Sequence, residues 1–314
     1  MATKIKGTRA GWEKFPDNPV LGDDLGVCFD VCIMQEDESY KMYFSWRSRQ
    51  SIAVVESKDG FNWSKPDICI APTVSENGWE DDVNRPVVLF KDGLYHMWYT
   101  GQFKPGLADG ASRIFYATSE DGKNFQRVSE NPVLIPDLPW EKVAVMNPSI
   151  LWDEEEKLYK MWYSGGEQYE PNAIGYATST DGLSWVKYRN NPIFTANPEL
   201  SWEQHKVAGP QVLKIDGYYT LFYIGYFDEH YAQIGIARSR DGLLNWQRHP
   251  ENPVVAPTPD EFDAEACYKP FVCYDGKKWL LWYNGRVGSN EQIGVAIHHG
   301  FDLNFDQKRN EDND

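Results

Sequence analysis

The sequence predicts an all-β protein, a single five-bladed β-propeller built from four-stranded antiparallel blades. Three recurring signals predict it. Four segments run from a strand through a serine into Asp-Gly: AVVESKDG (53–60), FYATSEDG (115–122), IGYATSTDG (174–182) and IGIARSRDG (234–242). A fifth, IGVAIHHG (293–300), keeps the strand and the glycine, so the glycines recur at 60, 122, 182, 242 and 300. Upstream of each lies an alternating aromatic strand: YKMYFSW (40–46), YHMWYTG (95–101), YKMWYSG (159–165), YTLFYIG (219–225) and WLLWYNG (279–285). Before that comes an apolar run opened by proline in RPVVLF, NPSILW, GPQVLK and KPFVCY, with Val31 standing at the proline position of the first unit. A fixed period of this length is the signature of a repeat architecture.

Each unit reads as strand A (the proline-opened run), a short turn, strand B (the aromatic run), a longer loop, strand C, the Asp-Gly hairpin and strand D. Proline is tolerated at the first residue of a strand, where its missing N–H lies outside the ladder. Glycine accepts the positive φ that a tight hairpin requires. An aromatic follows each hairpin (Trp63, Phe125, Trp185, Trp246, Phe305), and Asn-Pro pairs at 131–132, 191–192 and 252–253 lead into the next unit. Helical periodicity is nearly absent. Radial repetition lets each sheet cover its neighbour's apolar face, which a linear stack would leave bare at both ends. The expected blades run roughly 15–65, 66–128, 129–188, 189–248 and 249–308, in one domain spanning 1–308. Two segments compete to complete the last blade, 11–21 and 301–308. The acidic stretch 309–314 is expected to be disordered.

Composition narrows the function. The 314 residues carry a net charge of −16, which argues against nucleic acid or an anionic membrane as partner. No apolar run reaches the length of a membrane span, and the first fifteen residues lack the apolar core of a signal peptide, so a cytoplasmic location is expected. Five cysteines show no metal-ligand spacing and sit mostly in apolar runs, as small buried hydrophobes of a reducing compartment do. Aromatics make up 15% of the chain; blade packing claims most of them, and flat platforms for sugar rings are the other use.

In a propeller strand A lines the axis, and its start shares one rim with the B–C loops. The residue before the proline position is Asp30, Arg85, Asn147, Gly209 or Lys269 across the five units. Further back lie Asp82 and Asp81, Lys206 and His205, and Glu265. Packing positions keep one residue type around the ring, whereas these polar positions differ in every blade, which points to a site. Glu80, Glu141, Glu203 and Asp263 each follow an aromatic in four blades, and that recurrence reads as structural. Asp59, Asp121, Asp181 and Asp241 belong to the hairpins of the opposite rim. Loop residues Glu167, Glu170, Asp228, Glu229 and His230 can reach the funnel, and Trp46 and Tyr226 are sugar platforms or packing groups.

The repeat resembles the superfamily that contains glycoside hydrolase families 32, 43, 68 and 130, with the individual family unassigned. In family 43 the first blade's strand A opens with the Asp of an Asp-Pro pair, the general base; Asp30 matches that position, followed by Val31. A second carboxylate opens the third blade in families 32 and 43, where this chain has Asn147. The family 43 acid lies two residues before the fourth blade's proline, where this chain has Ala208 in Val207-Ala208-Gly209-Pro210. WEDDVNRP (79–86) echoes the Glu-Asp-Pro-Arg motif of family 130, with the Asp further from the proline. The resemblance implies Asp30 and favours the second blade, and the rim carboxylates best placed to replace the missing acids are Asp82 and Glu265, then Asp81, so Asp30, Asp82 and Glu265 are the catalytic candidates. Arg85, Asn147, His205, Lys269, Trp46, Arg47 and Arg286 are then the substrate-binding candidates.

Glycosyl transfer needs an acid for the leaving oxygen and usually a carboxylate on the other side. The expected function is hydrolytic cleavage of a terminal sugar from a short oligosaccharide. The alternatives are a phosphorylase holding inorganic phosphate on the basic rim, with Arg49 and Lys206 added to the cations above, and a non-catalytic carbohydrate-binding propeller. No cofactor or metal ligand set is expected, although the superfamily admits an axial cation. The sequence leaves the sugar, the linkage and the oligomeric state open.

Overall fold

The computed structural model describes residues 4–36, 38–73, 78–103, 111–167 and 171–306; Glu170 and the stretch 309–314 lie outside them. The described chain forms five four-stranded antiparallel sheets. Strands A are Cys28–Glu36, Asp82–Lys91, Ala144–Asp153, Lys206–Ile215 and Ala266–Tyr274. Strands B are Ser39–Trp46, Leu94–Gln102, Leu158–Gly166, Tyr218–Tyr226 and Lys278–Val287. Strands C are Ser51–Ser57, Ser112–Ser119, Pro171–Ser179, Ala232–Ser239 and Asn290–His299. Each strand A packs against those of the units before and after it, and the fifth packs against the first. The ring is therefore closed, and the fold is a five-bladed β-propeller.

The outer strands settle how it closes. Blades one to four use Asp67–Ile70, Gln126–Arg127, Val186–Lys187 and Gln247–Arg248, each paired with its own strand C. The fifth takes Trp12–Lys14 from the start of the chain, with Trp12 opposite His298 and Lys14 opposite Ala296. Of the two competing segments, the N-terminal one completes the ring. Leu303 and Phe305, from the other, bury against the same blade's core.

A repeated knot explains why Lys14 is there. Glu80, Glu141, Glu203 and Asp263 are almost fully buried. Each accepts a tyrosine hydroxyl from strand B of its own blade: Tyr99 (2.8 Å), Tyr163 (2.7 Å), Tyr223 (2.6 Å) and Tyr283 (2.7 Å). Each also accepts a cation from strand D: Arg127 (2.9 Å), Lys187 (2.7 Å), Arg248 (2.6 Å) and Lys14 (2.6 Å). A buried charge is tolerable only when it is paired and hydrogen-bonded in this way. The recurrent acids are thus structural, as their repetition predicts. In the first blade Phe44 holds the tyrosine position, and its hydroxyl-free ring has no acid to serve.

The hairpin glycines lock blade to blade. The indole N–H groups of Trp98, Trp162 and Trp282 donate to the carbonyls of Gly182 (2.8 Å), Gly242 (2.8 Å) and Gly60 (3.0 Å) in the following blade. Tyr43 does the same to Gly122 (2.8 Å) through its hydroxyl. These glycines have φ between 71° and 81°. A Cβ on Gly182 would stand 2.9 Å from the Trp98 ring, so any larger residue would push the two blades apart. Most of the aromatic content is accounted for by such packing: Trp98, Trp162, Trp282, Tyr99, Tyr163, Tyr223 and Tyr283 have essentially no exposed surface.

Candidate active site

The five rim residues that precede the proline position share one unusual backbone state. Asp30 (φ 56°), Arg85 (54°), Asn147 (53°), Gly209 (57°) and Lys269 (52°) are all left-handed. Each sits where the pairing of strands A and B skips register: between Phe29 and Cys32, Asn84 and Val87, Met146 and Ser149, Ala208 and Gln211, and Tyr268 and Phe271. A bulge re-aims a side chain, here toward the axis. A left-handed non-glycine residue costs about 1–2 kcal/mol, and four blades of five bear that cost at this position.

The strain is held by the preceding blade. The Asp30 N–H donates to Asn284 Oδ1 (3.0 Å), that of Arg85 to Ser45 Oγ (2.9 Å), that of Asn147 to Thr100 Oγ1 (3.3 Å) and that of Gly209 to Ser164 Oγ (2.9 Å). The corresponding strand B residue facing the fifth blade is Ile224, whose side chain has no acceptor. In four of the five blades the small polar residue near the end of the aromatic strand therefore bonds the bulge of the next blade.

Four of these five residues, Asp30, Arg85, Asn147 and Lys269, line one open-mouthed cavity together with Arg47, His230, Tyr268, Arg286 and Glu291. Its opposite side is apolar, formed by Ile224, Tyr226, Ala232 and Ala266. Ala208, at the position where the resemblance expects an acid, packs into this apolar cluster.

Asp30 is 3% exposed. Its Oδ2 accepts the Ser45 hydroxyl (3.1 Å) and faces Arg85 Nε at 3.9 Å. Glu291 stands opposite Arg286 across the β-hairpin that carries both. Burial pushes the Glu291 carboxyl above the usual range and the nearby Asp30 charge adds to this, while Tyr268, Arg47 and Arg286 oppose it. Burial also lowers the pKa of Lys269, against the pull of Asp30. Three cavity-lining polar atoms are buried with no hydrogen-bond partner: Asn147 Oδ1, Arg286 Nε and Glu291 Oε2. Unsatisfied buried groups are uncommon in native structures, and among the described residues these three belong to side chains that line one cavity.

Of the sequence-derived candidates, Asp30, Arg85, Asn147, Lys269, Arg47 and Arg286 meet in this cavity. Asp82, Glu265, His205 and Trp46 do not line it. Asp82 is buried behind the wall, where it faces Arg47 (3.7 Å) and accepts Asn84 Nδ2 (3.1 Å). Burial raises its pKa. Arg47 in turn stacks on Phe29 at 4.6 Å. Glu265 is exposed, one residue before its strand A begins, and accepts the Gly288 N–H (2.9 Å). His205 is exposed too, its backbone N–H donating to the Tyr226 carbonyl (3.0 Å). Trp46 donates its indole N–H to Leu25 O (2.8 Å) and packs in the first blade's core. Glu167 bridges Lys142 and Lys206, and Asp228 caps the loop at His230 and Tyr231.

Sequence reasoning missed Glu291. Counting backward from the prolines cannot find a residue on a B–C hairpin, yet Glu291 pairs directly with Arg286, which that reasoning did single out. Among the described residues no group of three or more His, Cys, Asp and Glu side chains is arranged to hold a metal ion. With Arg85 and Lys269 on the funnel floor, the donor set does not suit an axial cation.

The comparisons with known proteins agree with this architecture. The chain is 30% identical over 233 residues to a 1,2-beta-oligomannan phosphorylase of Thermoanaerobacter sp. (strain X514), covering 71% of each protein. A beta-1,2-mannobiose phosphorylase of the same organism is 27% identical over 138 residues, 39% of this chain and 44% of that protein. A solved thermostable family-43 glycoside hydrolase superposes with a TM-score of 0.69 at 20% identity, covering 88% of this chain and 91% of that one. The model of glycosyl hydrolases family 43 matches residues 16–295. The chain belongs to glycosyl hydrolases family 43.

Proposed function

We propose that the protein is a glycosidase that hydrolyses a terminal sugar from a short oligosaccharide in the central funnel. The observation that carries this is the meeting of two carboxyls, Asp30 and Glu291, in one cavity where Asn147 Oδ1, Arg286 Nε and Glu291 Oε2 have no partner among the described residues. Glu291 is the general acid. Its raised pKa keeps it protonated where an exposed glutamate would be ionised, and it delivers that proton to the leaving oxygen. Asp30, held by Ser45 and facing Arg85, is the base or nucleophile on the other side of the sugar. Asn147, Arg286 and Lys269 bind hydroxyls or substituents of the ring.

One observation favours a second reading, phosphorolysis. Arg47, Arg85, Lys269 and Arg286 give the cavity four cations in a protein of net charge −16. Relatives named as phosphorylases lend it weight. A single experiment separates the two. Aryl glycosides and short manno-, xylo- and arabino-oligosaccharides are incubated with and without inorganic phosphate, and the products are analysed. Free reducing sugar released at a phosphate-independent rate supports hydrolysis. Sugar 1-phosphate formed only with phosphate supports the second reading, and no turnover of any glycoside removes both.

A further inference from the structure

Charge pairing around the funnel leaves a residue. Arg47 faces Asp82 at 3.7 Å and Arg85 faces Asp30 at 3.9 Å, so each of these two cations has its carboxylate. Lys269 and Arg286 have none within ion-pair distance among the described residues. Arg286 spends one N–H on the His230 carbonyl and leaves Nε buried and unpartnered. Lys269 is the more telling of the two. It is 3% exposed, lies on the funnel floor in a left-handed backbone state, and has no ion pair or hydrogen bond within the described chain for its ammonium. The carboxylate it feels most, Asp30, already faces Arg85. On the floor the ring Asp30, Arg85, Asn147, Gly209, Lys269 therefore sums to one net positive charge.

A cation in a low-dielectric pocket gains from a nearby counter-charge. Among the described residues no carboxylate stands within ion-pair distance of Lys269, which lines the open cavity, so that place is open to a charge carried by the ligand. Glu291 lines the same cavity but stands opposite Arg286 and forms no ion pair with Lys269. We propose that the sugar bound in the funnel is acidic, a uronic acid or a related sugar carboxylate, and that its carboxylate is the counter-ion of Lys269, with Arg286 adding to the attractive field. This rests on the reading of the funnel as a sugar site that hydrolyses its ligand; it adds the substrate class.

Binding of free monosaccharides tests it directly, by calorimetry on the intact protein. D-glucuronate, D-galacturonate and D-mannuronate are compared with D-glucose, D-galactose and D-mannose at low and high salt. At least one uronate is expected to bind about tenfold or more tightly than its neutral counterpart, the scale of a hydrogen bond to a charged group. That advantage should shrink as salt rises, disappear in Lys269→Met and largely return in Lys269→Arg. Equal affinity for both members of every pair overturns the proposal, as does a uronate preference that survives in Lys269→Met or an absence of measurable uronate binding. Should neither lysine variant fold, the salt dependence of the wild-type preference decides. Inorganic phosphate is the remaining arm: if phosphate is required for cleavage and sugar 1-phosphate is released, the free cation serves a co-substrate and the proposal fails. Aryl uronides are then offered for turnover. Uronate preference without any cleavage defeats the hydrolase reading and keeps this inference, whereas efficient cleavage of neutral glycosides with no uronate preference does the reverse.

Discussion

Replacing Lys14 by methionine removes the strut that the N-terminal strand contributes to the fifth blade. Lys14 Nζ donates to Asp263 Oδ2 (2.6 Å), to the Ala256 carbonyl (2.7 Å) and to Thr258 Oγ1 (2.8 Å). Asp263 is fully buried and also takes the Tyr283 hydroxyl, so the substitution strands a carboxylate with no cation inside the protein. Breaking a buried pair by removing one partner costs about 3–5 kcal/mol. Because the lysine side chain is 16% exposed, water enters once it is gone and the lower end, about 3 kcal/mol, is the expected loss. The second variant is Asp263→Asn in the Lys14→Met background. It leaves an uncharged amide whose oxygen still accepts from Tyr283, and most of the lost stability should return. Equilibrium urea unfolding followed by tryptophan fluorescence measures both, and the two singles with the double form a mutant cycle. Arg248→Met, in the equivalent knot of the fourth blade, serves as the internal comparison. A Lys14→Met variant within 1 kcal/mol of wild type, or a double variant no better than the single, would refute the idea that the N-terminal strand closes the ring through this charge.

Other outcomes follow from the same geometry. With Glu291 as the proposed general acid, the alkaline limb of kcat/KM should lie above the ordinary glutamate range, because burial raises its pKa and activity would be lost as pH rises through that value. A limb that is unmoved in Glu291→Gln, measured with an activated leaving group, counts against this. Asp82→Asn should raise KM while leaving kcat within about tenfold, since Asp82 only steadies Arg47, whereas Asp30→Asn should cost about 10²–10⁴ in kcat; equal losses from the two would return Asp82 to the catalytic set. Gly235→Ala should destabilise by about 2 kcal/mol, because the new Cβ would stand 2.2 Å from the Trp202 ring. Thermal denaturation reads this, and an unchanged Tm contradicts the packing.

The repeat was legible because every blade spells the same local physics: a proline where no N–H is needed, aromatics alternating toward the next blade, and glycine where φ must be positive. The recurrent acids Glu80, Glu141, Glu203 and Asp263 were legible as structural for the same reason. The left-handed bulge at Asp30 and its counterparts was not legible. Arg and Lys do not announce a positive φ, and the partners Ser45, Thr100, Ser164 and Asn284 that bond four of the five bulges come from the preceding blade, far away in the chain. That bulge explains which rim residues reach the funnel. It turns Asp30, Arg85, Asn147 and Lys269 inward and leaves Glu265 pointing to solvent and Asp82 behind Arg47. Glu291 escaped because strand pairing, not spacing along the chain, sets it opposite Arg286. Ring closure stayed open in the sequence because 11–21 and 301–308 carry similar patterns; the pairing of Trp12–Lys14 with the fifth strand C decides it, and Lys14 brings the buried Asp263 its cation.

In the proposed reaction Glu291 gives a proton to the leaving oxygen while Asp30 acts on the sugar's other side. Turnover of matched aryl glycosides with poor and good leaving groups by wild type, Glu291→Gln and Asp30→Asn tests it most directly. Glu291→Gln is expected to lose about 10²–10⁴ in rate on the poor leaving group and little on the dinitrophenyl glycoside, which needs no proton, while Asp30→Asn is slow on both. Wild-type rates in either variant, or a Glu291→Gln loss independent of the leaving group, would contradict it.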